Sequence, residues 1–312
     1  MQIISWIIST LLQWYVWMPI VAVLMFLTWR NYRKIEDFTP VESVLLILEI
    51  PRTNDKQELA AEQLFASLHG ILRDNKELRL SGGHQEHISF EIASVNGQIR
   101  FYVWVPKTLQ SFVEGQIYSQ YPTVQIHQAD EDYTEHERNH EVAYSTELTL
   151  TTDEFLPIRT FQNFEVDPLA GITGTLAKLE TTGEELWIQV LVRPIPDDWQ
   201  NAADRYINSI RNGRMFSLPG FGGSMQWLIG VLGALWQPPE QGVGQSTKIE
   251  LSDRDKTRIS EAEKKATKLG YEVKIRLAYM GESQTNAKLR MQALVGTFKQ
   301  FNSTNLNGFH AV

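Results

Sequence analysis

The sequence predicts an α+β protein: an N-terminal transmembrane helix, then two tandem ferredoxin-like (βαββαβ) modules, the second with a helical-hairpin insertion. Three observations predict it. No charged side chain occurs from Met1 to Trp29. From Ser43 to Ala129, strand-like and helix-periodic runs alternate in the order β-α-β-β-α-β, the split βαβ order. The same order restarts at Val142 and closes near Val312. The expected divisions are an anchor over 1–29, a juxtamembrane linker over 30–40, and a first module over 41–130. An acidic linker over 131–141 and a second module over 142–312 follow, with an insertion over 195–270.

The apolar run is long enough to cross a hydrocarbon core of about 30 Å as a helix. It lacks the basic start and the small-residue cleavage site of a secretory signal. Trp14, Trp17 and Trp29 are expected membrane-anchor residues, and Arg30, Arg33 and Lys34 follow the run at once. The positive-inside rule then puts the N-terminus outside and the rest in the cytoplasm, a single pass through an inner or plasma membrane. Trp14 and Trp17 lie well inside the run, so a short interfacial helix over Ile3 to Leu12, with the span starting near Gln13, is an alternative.

"SVLLILEI" (Ser43 to Ile50) predicts a strand buried on both faces. In the next run, Ala60, Ala61, Leu64, Phe65, Leu68 and Leu72 share one helical stripe. "ISFEIASV" and "QIRFYVWV" flank Asn96-Gly97, the dipeptide suited to the positive φ angles of a type I′ hairpin turn. A helix through Leu109, Phe112, Val113, Ile117 and Tyr121 stops at Pro122, and "TVQIHQA" closes the module as a strand.

In the second module, "VAYSTELTL" is a strand and Asp167-Pro168 caps a helix. "EELWIQVLVRP" and "YEVKIRLAYM" are strands on either side of the insertion, "SQTNAKLRMQALVGTFKQF" a helix, and "NGFHAV" the start of a last strand. The insertion holds two amphipathic helices, one carrying Trp199, Ala202, Ala203, Tyr206, Ile207 and Ile210, the other Ile259, Ala262, Ala266 and Leu269. They are expected to pair as a hairpin, with Ser252 and Asp255 forming a capping box. Between them, Met215 to Gln237 is uncharged, but Pro219, Gly220, Gly222 and Gly223 break it, leaving less than the roughly 17 to 25 apolar residues of a span. Trp227, Leu228, Val231, Leu232, Leu235 and Trp236 are expected to contact the membrane, a neighbouring subunit or their own domain's core.

Composition narrows the function classes. A net charge of −8 over 312 residues argues against direct nucleic-acid binding. Without cysteine there is no disulfide, thiolate metal site or cysteine nucleophile. No Walker loop and no G-x-S-x-G elbow occurs. His136-Glu137-Arg138-Asn139-His140 does spell H-E-x-x-H, which on a helix offers two zinc ligands, His136 and His140, with Glu137 as base. Here Asp130, Glu131, Asp132, Glu135 and Glu141 surround it, and nothing gives the window the buried apolar face of a zinc-peptidase helix. The expectation is a solvated polar linker, no catalytic residue and no cofactor.

"LAAEQLFASLHGIL", "IASVNGQIRFYVWVPKTLQSFVEGQIYSQYP" and "FQNFEVDPLAGITGTLAKLETTGEELWIQVLVRP" resemble the membrane-anchored region that precedes the motor in type IV secretion and conjugation ATPases of the coupling-protein kind. The resemblance covers almost everything from Ser43 to Val312, with the anchor in the matching place. It implies a non-catalytic, cytoplasm-facing scaffold that oligomerises and holds a DNA- or protein-translocating P-loop ATPase at the bilayer. The motor is then expected further along the same polypeptide or on a separate chain. A stand-alone membrane adaptor or receptor is the alternative, and a membrane-bound zinc metallopeptidase using HERNH a second one.

Overall fold

A computed structural model of the chain describes residues 14–36, 41–51, 59–80, 83–135, 140–179, 183–211 and 251–312. They fall into two compact units, Met1–Ser43 with Arg73–Gln85, and Val44–Leu72 with Glu86–Val312.

In the first unit, α1 (Trp14–Glu36) runs through the basic residues without a break, where the sequence predicts a linker from Arg30. Pro19 lies inside it, at the sixth residue, where it withholds the amide that would otherwise bond the Tyr15 carbonyl one turn back. Its apolar side chains point outward: Trp17, Met18, Ile20, Val21, Val23, Leu24, Met25, Phe26, Leu27 and Trp29 are all exposed. The Thr28 hydroxyl donates back to the Leu24 and Met25 carbonyls at 2.9 Å each, so it needs no water. Among the described residues, no helix is long and apolar enough to cross a membrane. From Trp14 to Trp29 a helix rises about 24 Å, short of a hydrocarbon core of about 30 Å. The expected span therefore depends on residues 1–13, which lie outside the described ones.

The unit's other segment carries a short helix, α3 (Asn75–Leu80), which the sequence pattern does not reveal. Asp74 Oδ1 accepts from the Lys76 and Glu77 amides, and Glu77 Oε2 accepts from the Asp74 amide at 3.0 Å, a reciprocal cap.

The second unit is α+β, built on one eight-stranded antiparallel sheet. Its strands are β1 (Ser43–Glu49), β2 (Ile88–Val95), β3 (Gln98–Pro106), β4 (Gln125–Gln128), β5 (Val142–Leu150), β6 (Glu185–Pro194), β7 (Tyr271–Gly281) and β8 (Phe309–Ala311). They lie in the order β4-β1-β3-β2-β6-β7-β5-β8. Each half therefore orders its own four strands 4-1-3-2, and the halves meet through their second strands. That seam is a full antiparallel ladder from Ile88↔Val192 to Ser94↔Leu186. The β2–β3 turn is as expected, with Asn96 at φ 51° and Gly97 at φ 73°.

One face of the sheet is covered by helices. On the first half, α2 (Leu59–Leu68) and α4 (Gln110–Gln120) bury Leu64, Leu68, Val113 and Ile117 against Val44, Leu46, Ile88, Val103 and Val105. On the second, α5 (Pro168–Ala177) and α8 (Gln284–Phe298) bury Ile172, Leu176, Met291, Leu294 and Phe298 against Leu148, Leu186, Ile188, Ile275 and Leu277. The Asp167 carboxylate accepts from the Leu169 amide at 2.8 Å, the expected cap ahead of Pro168.

Between β6 and β7 the chain leaves and returns at adjacent points, since the Ile195 amide bonds the Gly270 carbonyl at 3.1 Å. The two helices there, α6 (Asp198–Arg211) and α7 (Asp253–Ala266), pack on each other through Ala203, Tyr206, Ile207, Ile259 and Ala262, joined by Phe155 and Leu156. Leu269, expected on this stripe, is exposed, because α7 ends at Ala266 and the chain has already turned toward β7. Residues 212–250, including Trp227, Leu228, Val231, Leu232, Leu235 and Trp236, lie outside the described residues.

Candidate functional site

Side chains alternate across a strand, so the residues between the helix-facing ones line the opposite face. There Leu45, Ala93, Tyr102, Tyr133 and Trp187 form a separate buried cluster, with Ile47, Val95, Trp104, Ala278 and Met280 packed around it. Tyr133 does not belong to the sheet. It comes from the acidic linker, which the sequence predicts to be solvated, and it is only 5 % exposed. Its ring sits 4.9 Å from Tyr102 in the first half and 4.9 Å from Trp187 in the second, the latter edge-to-face at 85°. A single aromatic among acidic residues thus becomes a key inserted over the seam.

A polar row crosses the sheet beneath it. Strand register places Tyr102 beside Glu91, Glu91 beside Gln189, Gln189 beside Arg276 and Arg276 beside Glu147. Tyr133 Oη donates to Glu91 Oε2 at 2.5 Å and accepts from Gln189 Nε2 at 3.1 Å, so one hydroxyl links both halves. Burial pushes the Glu91 carboxyl above its usual range, against the opposing pull of its polar neighbours Ser89, Tyr133 and Gln189. Burial likewise drives the Tyr133 phenol far up, reinforced by the adjacent Glu91 charge.

The linker is tied down at both ends of its described part. Asp132 Oδ1 accepts from the Thr134 amide at 2.8 Å and from its hydroxyl at 2.7 Å, folding the turn that presents Tyr133. At the other end, His140 Nε2 lies 3.6 Å from Glu185 Oε1, while Glu185 Oε2 accepts from Trp187 Nε1 at 3.1 Å. His140, expected to be solvated, is thus directed to a nearly buried carboxylate on β6. His136 and Glu137 lie outside the described residues. Among the described residues, no group of three or more His, Cys, Asp or Glu could hold a metal ion.

Beside Tyr133 lies a shallow hollow of about 180 Å³, lined by strand residues with Asp132 and Thr134 from the linker. His87 and Trp104 stack at one end, ring centroids 4.8 Å apart and 17° from parallel. Ser89, Glu91, Gln189 and Leu191 line the middle, and Arg276 the far end. Lys274 Nζ and Arg276 Nε approach the single carboxylate Glu147 at 2.8 and 3.6 Å. The hydrogen bond from Lys274, foremost, holds the Glu147 carboxyl below its usual range.

Sequence reading missed these residues. The available signal was a polar side chain in the middle of otherwise apolar strands: Glu91 in "ISFEIASV", Gln189 in "EELWIQVLVRP" and Arg276 in "YEVKIRLAYM". Of the expected anchor residues, Trp17 and Trp29 are exposed on α1. Trp14, Arg30, Arg33 and Lys34 lie on the same helix. His69, just after α2, bonds the Ile195 carbonyl at 3.2 Å through Nε2.

No curated protein matches the sequence. A family model described as "Domain of unknown function (DUF8128)" matches residues 38–311. That match spans nearly the whole chain beyond α1, and the chain belongs to the DUF8128 family.

Proposed function

We propose that this chain is a membrane-anchored, non-catalytic scaffold that oligomerises and serves a type IV secretion or conjugation ATPase. What supports the anchor is the surface of α1, where ten successive or near-successive apolar side chains from Trp17 to Trp29 face outward and the one hydroxyl, that of Thr28, bonds within the helix. In water such a surface is costly, at about 25 cal/mol per Å² of apolar area. Together with the uncharged residues ahead of it, α1 seats in the bilayer, and Arg30, Arg33 and Lys34 hold its inner end in the cytoplasm.

Each half of the sheet is in this proposal a ferredoxin-like module, supported by the 4-1-3-2 strand order found twice. The outer strands β4 and β8 are short edges, suited to limited contact with a neighbouring subunit. The ATPase is supported by the sequence blocks that resemble the pre-motor region of coupling-type ATPases.

Alkaline carbonate extraction of native membranes tests the anchor. The wild-type chain is expected to stay in the membrane pellet, and Leu24→Asp to shift into the supernatant, because an aspartate at the centre of a span costs roughly 2.5 to 3.5 kcal/mol. Release of the wild-type chain by carbonate would contradict the proposal.

A further inference from the structure

We propose that two copies of this chain pair edge to edge through β4, about a two-fold axis at His127, so that one sheet runs through both. The inference rests on the oligomerisation proposed above and names its surface.

The two edges of the sheet are not equivalent. In an antiparallel ladder, residues that bond the neighbouring strand alternate with residues whose amide and carbonyl point away from it. On β8, the Thr151 amide bonds the Gly308 carbonyl and the Val312 amide bonds the Glu147 carbonyl, so Phe309 and Ala311 point outward. The Asn302 side chain fills the first of these places. Its Oδ1 accepts from the Phe309 amide at 2.8 Å, and its Nδ2 donates to the Phe309 carbonyl at 3.5 Å. That carboxamide stands where the backbone of another strand would, and only Ala311 is left.

On β4, the Ala129 amide bonds the Leu45 carbonyl at 2.8 Å, so the backbone of Gln125 and His127 serves β1. Ile126 and Gln128 turn their amides and carbonyls outward, and among the described residues none bonds those groups. Charged side chains commonly blunt such an edge, yet β4 reads Gln-Ile-His-Gln.

A second copy fits this edge. Antiparallel pairing centred on His127 sets Ile126 against the partner's Gln128, and Gln128 against the partner's Ile126. Every outward amide and carbonyl of both residues is then used, in four hydrogen bonds. Centring on Ile126 or on Gln128 pairs that residue with itself and leaves two bonds within β4. The charges allow the approach. No side chain of β4 is acidic, and the two imidazoles that meet at the axis each have Glu49 of their own chain 3.9 Å away. With β8 plugged, a head-to-tail ribbon finds no second edge, and like-with-like pairing closes at two copies.

The chain has no cysteine, so a single introduced one reports a single contact. His127→Cys in the full chain, oxidised in native membranes with copper phenanthroline, is expected to give a disulfide-linked dimer. Residues opposite each other in a non-hydrogen-bonded pair lie about 4.5 Å apart at Cα, within disulfide reach. His127 is about half exposed, so the variant keeps the fold, and an unchanged melting midpoint confirms that. Gln125→Cys is expected to stay monomeric, since the same register sets the two copies of residue 125 four places apart, about 14 Å. His310→Cys on β8 is expected to stay monomeric too. Gln128→Pro, added to His127→Cys, removes one outward amide per copy without touching the β1 ladder, and should slow dimer formation about tenfold or more. The pairing is overturned if His127→Cys stays monomeric, links to another protein instead, or links no faster than Gln125→Cys or His310→Cys. A rate that Gln128→Pro leaves unchanged would also overturn it. Carbonate extraction of the same membranes separates the two readings. Retention without a dimer overturns the pairing alone, and a dimer in a chain that carbonate releases supports the pairing while contradicting the anchor.

Discussion

Tyr133 Oη donates a 2.5 Å hydrogen bond to Glu91 Oε2 while accepting one from Gln189 Nε2, and so joins the two halves of the sheet through a residue of neither. Tyr133→Phe keeps the ring contacts with Tyr102 and Trp187 but strips Glu91 and Gln189 of a shared partner. A buried polar group left unsatisfied costs about 1 to 3 kcal/mol, and that is the expected loss in urea unfolding. Tyr133→Ala also removes the buried ring and should cost about 3 to 5 kcal/mol. Equal stability of Tyr133→Phe and the wild type would mean that the hydroxyl does not bridge the halves.

Glu91 gives a pH dependence of definite sign. Its folded value is raised by burial, so its protonated form favours the fold. The stability it contributes is fully present below the ordinary glutamate value of about 4.3 and is lost as pH rises through the raised folded value. Glu91→Gln keeps an acceptor for Tyr133 without a charge to desolvate. Compared with the wild type, it should be equally or more stable near pH 7, with the advantage shrinking toward pH 4. Glu147, whose folded value is lowered, runs the other way: its contribution holds above the ordinary value and disappears as pH falls through the lowered one. Denaturation midpoints of Glu91→Gln and Glu147→Gln across pH decide both signs.

Two glycines separate space from propensity. A Cβ at Gly281 would collide with the phenol of Tyr279, whose Oη donates to the buried Glu184 at 2.8 Å. Gly281→Ala should therefore cost about 1 to 3 kcal/mol through displaced packing. Gly174, inside α5, has nothing within 4 Å of the position a Cβ would take. Gly174→Ala should stabilise by about 0.5 to 1 kcal/mol, because alanine is the better helix residue. Thermal midpoints moving in opposite directions are the expected result.

The HERNH segment makes a negative prediction. His136→Ala and Glu137→Gln should leave partner capture and the melting midpoint unchanged. Zinc near one atom per purified chain, together with proteolysis abolished by a chelator and by Glu137→Gln, would establish a metallopeptidase instead.

Much of the fold was legible because its signals are local. Asn96-Gly97 demands positive φ, Asp167-Pro168 caps a helix, and the apolar alternation of β2 and β3 names two strands whatever surrounds them. The seam was not legible. Pairing β2 with β6 joins Glu91 to Gln189 across nearly a hundred positions, and periodicity carries no information on which strand neighbours which. The candidate site was missed for the same reason: Glu91, Gln189 and Arg276 form a row only once register aligns three strands. Tyr133 was hidden by its company, since Asp130, Glu131 and Glu135 around it are exposed while its own ring is buried. The helix through Arg30 to Glu36 went unseen because charge marks a membrane boundary, which need not be a helix end.

The most direct test of the scaffold is crosslinking in native membranes, followed by capture of the chain and mass spectrometry of what comes with it. A P-loop ATPase, joined after Val312 in the same polypeptide or recovered as a separate protein, is the predicted result. Efficient recovery of the chain and its own oligomer with no ATPase would contradict the account and leave a self-contained membrane adaptor.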